Sequence, residues 1–258
     1  MTKIIAIANQ KGGVGKTTTT MSLGAALARK GKKVLLVDLD PQGNLSEYLG
    51  YEPDGLPTVN ELLLSAVGAA QGSDGCIHHN DTEQLDYIPA TLALSNADMV
   101  LITAMNREMA LRRSLEQDAF QEYDYILIDC LPSLGILTVN AFTAANSVIV
   151  PVQAQKFAVD GLGALINVLK LVQRQINPSL RLEGIVRTMQ DRTNMSKAVG
   201  AALMDEYGDL VYNTAISRST EAANSTYRKQ SLTSYNNKLG TEYEQLADEL
   251  LAREVISK

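Results

Sequence analysis

The chain has 258 residues, 45% hydrophobic and 20% charged, with a formal net charge of −6. That length buries a core without staples, one domain is the simplest division, and two cysteines, Cys76 and Cys130, exclude a disulfide framework. No apolar run reaches the ~18 residues of a membrane span, no signal-peptide regions open the chain, and the acidic balance excludes a surface basic all over while allowing a local basic patch. A cytoplasmic location is expected.

Residues 3–8 (KIIAIA) form an apolar run of strand length, followed by glycines and by TTTTMSLGAALARKG, where small and apolar residues recur at helical spacing and Gly31 supplies a stop. KKVLLVDLD (32–40) reads as a strand covered on both faces. Strand, helix and strand within about forty residues make a βαβ unit and imply a parallel sheet. Thr58 and Glu61 have capping-box spacing at the start of a short helix. In GCIHHND, Cys76, His78 and His79 lack a fourth ligand and zinc-like spacing, so a polar surface loop is expected there.

LDYIPA (85–90) reads as a strand and 95–120 as one long helix. YDYILIDC (123–130) and NSVIVPV (146–152) read as buried strands, and 161–176 as an amphipathic helix stopped before Asn177-Pro178. Strands at 180–189 and 211–216 and a helix at 241–255 complete the chain. The alternation predicts an α/β fold, a single doubly wound, mostly parallel β-sheet flanked by helices, as one domain over residues 1–258 without internal repeats.

The loop NQKGGVGKTT lies at the first strand-to-helix junction, with Gln10 where the usual phosphate-binding pattern has its first glycine. Gly12, Gly13 and Gly15 let backbone N–H groups turn toward an anion at a helix N-terminus. Lys16 then reaches the phosphates and the Thr17 hydroxyl a magnesium ion. A tight turn using glycine for geometry alone is the alternative, but GKT preceded by two more glycines favours nucleotide. Hydrolysis also needs carboxylates, and Asp38, Asp40 and Asp129 all fall at strand C-terminal ends, where such sheets bind ligands.

These residues resemble the deviant Walker A class of ParA/MinD P-loop ATPases, most closely the small Soj-type ParA partition proteins. The resemblance begins with KGGVGKTT, continues through DLDPQGN, TAMNRE, YDYILIDCLPSLG, VPVQAQKFAVDGL and EGIVRTMQDRTNMS, and covers most of residues 1–215. It implies ATP and Mg2+ as cofactors, with Lys11, Lys16, Asp40 and Asp129 carrying catalysis. Lys11 would cross a homodimer interface to the partner's nucleotide, Asp40 would position water, and Thr17 and Asp129, with Asp38 in support, would serve the metal. Lys11, Gly12, Gly13, Val14, Gly15, Lys16, Thr17 and Thr18 would cradle the nucleotide, with Met189, Asp191 and Arg192 at its adenine end.

The resemblance further implies non-specific duplex DNA binding by the ATP-bound dimer, association with the nucleoid, and a ParB-like centromere-binding partner that stimulates hydrolysis. Arg192 and Arg218 match DNA-contacting positions, and Arg228, Lys229, Arg187 and Lys197 are further candidates. Asp205, Glu206, Asp209 and Glu221 in the same stretch leave a mixed-charge solvated surface as the alternative. The chain departs from the family at Leu131, where a proline is usual, at Ser217 within Ile-Ser-Arg, and in NSTYRKQS. With the first strand beginning at about Lys3, no N-terminal helix-turn-helix and no operator binding by this chain alone are expected. Other readings are a MinD-like membrane-bound positioning ATPase, against which ADELLAREVISK is acidic and lacks aromatics, and a metabolic relative such as an iron–sulfur reductase or a small-molecule ligase.

Overall fold

The computed structural model describes residues 2–70, 72–155 and 158–256, so Lys156 and Phe157 of VPVQAQKFAVDGL lie outside it. Among the described residues eight strands form one sheet: β1 (Lys3–Ile7), β2 (Val34–Leu39), β3 (His78–Asn80), β4 (Leu85–Ile88), β5 (Tyr125–Cys130), β6 (Ser147–Gln153), β7 (Arg181–Gln190) and β8 (Val211–Ser217). Their order across the sheet is β3-β4-β2-β5-β1-β6-β7-β8, and all pairs are parallel except β3 with β4.

The central strands are buried on both faces because their side chains alternate between two apolar cores. Leu35, Val37, Ile126 and Ile128 enter one core, while Leu36 and Leu127 enter the other. The first core is covered by α3 (Val59–Ala66), α4 (Leu94–Thr103), α5 (Ala110–Leu115), α6 (Ile136–Ala144), α7 (Ala158–Gln175) and α8 (Asn194–Tyr207). The second is covered by α1 (Lys16–Arg29), α2 (Asn44–Tyr48), α9 (Glu221–Tyr227) and α10 (Lys238–Ile256). Helices on both faces of a mostly parallel sheet make the doubly wound fold expected from the alternation. α10 packs inward through Leu239, Tyr243, Leu246 and Leu250. No described helix is long and apolar enough to cross a membrane.

The capping box forms: Thr58 N donates to Glu61 Oε2 at 2.8 Å, and Asn60 N to Thr58 Oγ1 at 3.2 Å. The single helix expected over 95–120 does not form. α4 ends at Thr103, Asn106 turns left-handed (φ 52°), and α5 begins at Ala110. A buried side chain from α6 holds this corner, with Asn140 Nδ2 donating to the Arg107 carbonyl (2.9 Å) and Asn140 Oδ1 accepting from Leu111 N (3.1 Å). Nor is GCIHHND a surface loop. Cys76 is buried, its thiol pushed up to about 11 by that burial, and residues 78–80 form the antiparallel edge strand β3. Among the described residues no group of three His, Cys, Asp or Glu is placed to hold a metal ion.

Candidate nucleotide site

The glycine loop leaves β1 at the carboxyl edge of the sheet and enters α1 at Lys16. Gly13 and Gly15 have φ of 71° and 87°, a left-handed conformation that a side chain would strain. A Cβ on Gly12 or Gly13 would meet no protein atom within 4 Å, so both face open space. The loop is fastened from behind instead. Asn9 Nδ2 donates to the Pro151 carbonyl (2.8 Å), Lys11 N to Asn9 Oδ1 (2.9 Å), and Thr188 Oγ1 to the Val14 carbonyl (2.8 Å). Val14 is therefore buried as an anchor. The first turn of α1 has neither a side-chain cap nor an acidic residue, which leaves its N–H groups for an anion.

Register brings the carboxylates together. Asp38 of β2 and Asp129 of β5 are direct partners on adjacent strands. Alternation places both on the face of Leu36 and Leu127, under α1. Thr17 Oγ1 donates to Asp129 Oδ2 at 2.7 Å and Thr20 Oγ1 to Asp129 Oδ1 at 3.4 Å. Burial, then the neighbouring Asp38, pushes Asp129 up to about 8. Burial raises Asp38 to about 6 against the hydrogen bonds of Ser46. Lys16 is lowered by its own burial, which Asp129 opposes, and its ammonium donates to the Lys11 carbonyl at 3.3 Å.

Asp38 does not open onto the cleft. Its carboxylate accepts from Asp40 N (3.1 Å), Ser46 N (2.9 Å) and Ser46 Oγ (2.7 Å), so it positions α2 and the Asp40 segment. Asp40 itself is half-buried and lines a cleft of about 360 Å³ together with Gly13, Lys16, Thr17, Pro132 and Met189. A second, mainly apolar cavity of about 260 Å³ adjoins it across Gly15, Thr18 and Met189 and extends to Ile216, Leu232 and Tyr243. The residues fit a magnesium nucleotide: phosphate would offset Lys16, Asp129, buried behind the cleft, would act on a divalent cation through the Thr17 hydroxyl that lines it, and the apolar cavity would take a planar base. Magnesium needs no all-protein cage, since phosphates and water fill most of its shell.

Some predicted residues lie elsewhere. Asp191 and Arg192 line neither cavity; the Asp191 carboxylate accepts from Thr193 N (3.0 Å) and Thr193 Oγ1 (2.6 Å) at the entry to α8. Lys11 is exposed, and its ammonium donates to Gln155 Oε1 at 2.7 Å, away from the cradle that Lys16 enters. Arg218 lines the rim of the apolar cavity, and its N donates to the Gln190 carbonyl at 3.0 Å. Arg192, Arg228 and Lys229 are exposed, with Arg228 over the Tyr235 ring at 5.2 Å from its centroid. Lys197 is exposed on α8, whereas Arg187 donates through Nη2 to the carbonyls of Tyr212 (3.3 Å) and Asn213 (2.9 Å), which ties it to β8. Sequence reasoning missed Tyr48, Ile216, Leu232 and Tyr243, because apolar lining residues drawn from distant segments carry no motif.

A glycine loop opening a helix at the carboxyl edge of a parallel sheet, with strand-end carboxylates beneath it, defines a P-loop nucleoside triphosphatase. Residues 2–182 match the family model described as an AAA domain. Sporulation initiation inhibitor protein Soj of Bacillus subtilis is 48% identical over 220 residues, covering 84% of this chain and 85% of that protein. Chromosome-partitioning ATPase Soj of Treponema pallidum is 42% identical over 257 residues, covering 98% and 99%. A crystal structure of cobyrinic acid a,c-diamide synthase from Mycobacterium smegmatis, with bound ATP analogue and magnesium, superposes with a TM-score of 0.85 at 39% identity, covering 100% of this chain and 98% of that one. The chain belongs to the ParA/Soj family of P-loop ATPases.

Proposed function

We propose that the protein is a Mg2+-dependent segregation ATPase that hydrolyses ATP to ADP and phosphate as an ATP-bound homodimer on DNA. The observation that carries this reading is the divergence of two lysines on one loop. Lys16 is buried at the cradle, while Lys11 is exposed and directed toward Gln155. A lysine that serves its own phosphates has no reason to point outward, whereas one that serves a second subunit's nucleotide has. Two ATP molecules bring concentrated negative charge to a shared interface, and a lysine from each side offsets the repulsion.

The chain's own residues then divide the work. The loop N–H groups and Lys16 bind the phosphates, and Thr17 with Asp129 holds the cation, which supplies charge stabilisation when bound. Asp40 orients the attacking water, with Asp38 and Ser46 fixing its segment. Met189 and the apolar cavity take the adenine. Arg192, Arg218, Arg228 and Lys229 contact duplex DNA through phosphates, without sequence preference. A ParB-like centromere-binding protein stimulates turnover, and the ATP form is cytoplasmic and associated with the nucleoid.

Sedimentation tests the interface: wild type dimerises with Mg·ATP and Lys11→Ala stays monomeric. An unchanged Lys11→Ala dimer sinks the role given to Lys11. The name of the 39%-identical structural neighbour favours a second reading, an ATP-dependent amide synthase. Turnover raised by a carboxylic-acid substrate and an amide donor, but indifferent to DNA and partner, would establish that reading instead. The apolar face of α10 is spent on the core, which argues against a membrane-binding role for that helix.

A further inference from the structure

Glu83 lies in the turn between β3 and β4 and is 3% exposed, yet no motif includes it. Its carboxylate reaches a segment 148 residues later in the chain, accepting from Ser231 N (2.7 Å), Ser231 Oγ (2.7 Å) and Ser234 Oγ (2.6 Å). A buried carboxylate is costly unless donors surround it, and these three do. The hairpin is itself tied down, since Asn80 Oδ1 accepts from Glu83 N (2.9 Å) and Asn80 Nδ2 donates to the Leu49 carbonyl (3.0 Å).

Leu232, the next residue after Ser231, is fully buried and forms part of the wall of the apolar cavity. Asn237 Nδ2 donates to its carbonyl at 2.6 Å, and a side chain on Gly240 would run into that same oxygen. The wall is thus gripped from its C-terminal side by Asn237 and the first turn of α10, and from its N-terminal side by Glu83. The phosphate cradle, by contrast, contains none of these residues.

We infer that Glu83 is a positioning residue for the base end of the nucleotide site: it fixes the 231–234 segment, and with it Leu232, against which a nucleotide's base packs. This rests on the nucleotide reading above. The role predicts that the base-dependent part of binding fails while the phosphate-dependent part survives. Inorganic tripolyphosphate with Mg2+ fills only the cradle, so it separates the two.

In the full chain, Glu83→Ala is expected to weaken ATP binding and raise KM about tenfold, with kcat and tripolyphosphate binding within about twofold of wild type. Glu83→Gln, which keeps an acceptor for Ser231 N, restores most of the ATP affinity. If Glu83→Ala does not fold, Ser231→Ala combined with Ser234→Ala removes both hydroxyl donors from the other side and is expected to reproduce the selective loss. Unchanged ATP affinity, or equal weakening of ATP and tripolyphosphate, overturns the assignment. Wild type that binds neither probe overturns the nucleotide reading, and this inference with it.

Discussion

Burial works against charge at both Lys16 and Asp129, lowering the ammonium and raising the carboxyl to about 8. Groups buried against their own charge in a cleft are candidates to act on something of opposite charge, and under the proposed function their removal should cost turnover more than fold. Lys16→Ala is expected to lower turnover by at least about 100-fold at saturating ATP, measured as phosphate release. Asp40 differs, being half-buried at the cleft with one oxygen accepting from Gln42 N at 3.0 Å. For Asp40→Ala the expected result is an ATP-dependent dimer of normal sedimentation that scarcely turns over; a variant hydrolysing at the wild-type rate removes Asp40 from the chemistry. Lys16 and Asp40 were both legible in sequence, because a motif and a strand end marked them. Glu83 was not, since its partners are distant in the chain.

Elements are joined by single side chains whose loss should be felt locally. Asn177, between α7 and β7, is 4% exposed and donates through Nδ2 to the carbonyls of Phe142 (3.0 Å), Thr143 (3.1 Å) and Ala145 (2.8 Å), closing the end of α6. Asn177→Ala leaves those carbonyls short of a donor and is expected to destabilise the fold by about 1–3 kcal/mol, seen as a lowered urea midpoint. At the edge strand β8, Glu249 of α10 accepts from Asn213 N (2.8 Å) and Thr214 N (2.9 Å). Burial opposes the ionisation of Glu249, but these N–H donors outweigh it and hold the carboxyl below its ordinary 4.5. A depressed folded pKa contributes stability above the unfolded value, and that contribution is lost as pH falls from about 4.5 through the folded pKa. The protection of the Asn213 and Thr214 amides, taken relative to the intrinsic exchange rate at each pH, should therefore fall in that acid window, and Glu249→Gln should flatten the pH dependence of that protection. Wild-type protection as pH-insensitive as that of the variant would separate Glu249 from the edge.

At the scale of the whole molecule, the charge of −6 sets the terms for any DNA contact. A net acidic protein can hold duplex only through a local patch, so binding should be steeply salt-dependent. Arg218→Glu is expected to weaken ATP-dependent binding of arbitrary duplex by roughly tenfold or more at low salt and to reduce the salt slope. Equal retention of DNA by wild type and variant in a mobility-shift titration would move the patch elsewhere. The alternating apolar runs, the glycines at the first junction and the strand-end aspartates determined the doubly wound sheet and the loop and carboxylates of the candidate phosphate end of the site. Those signals are local: a period, a turn and a neighbouring residue suffice to state them. Only tertiary structure decided that Asn140 holds the corner dividing the helix expected over 95–120, that Asp38 faces Ser46, and that Glu83 holds the segment carrying Leu232. Each depends on a side chain meeting a partner from a distant segment, and burial with hydrogen-bond satisfaction, which no window of sequence contains, selects that partner.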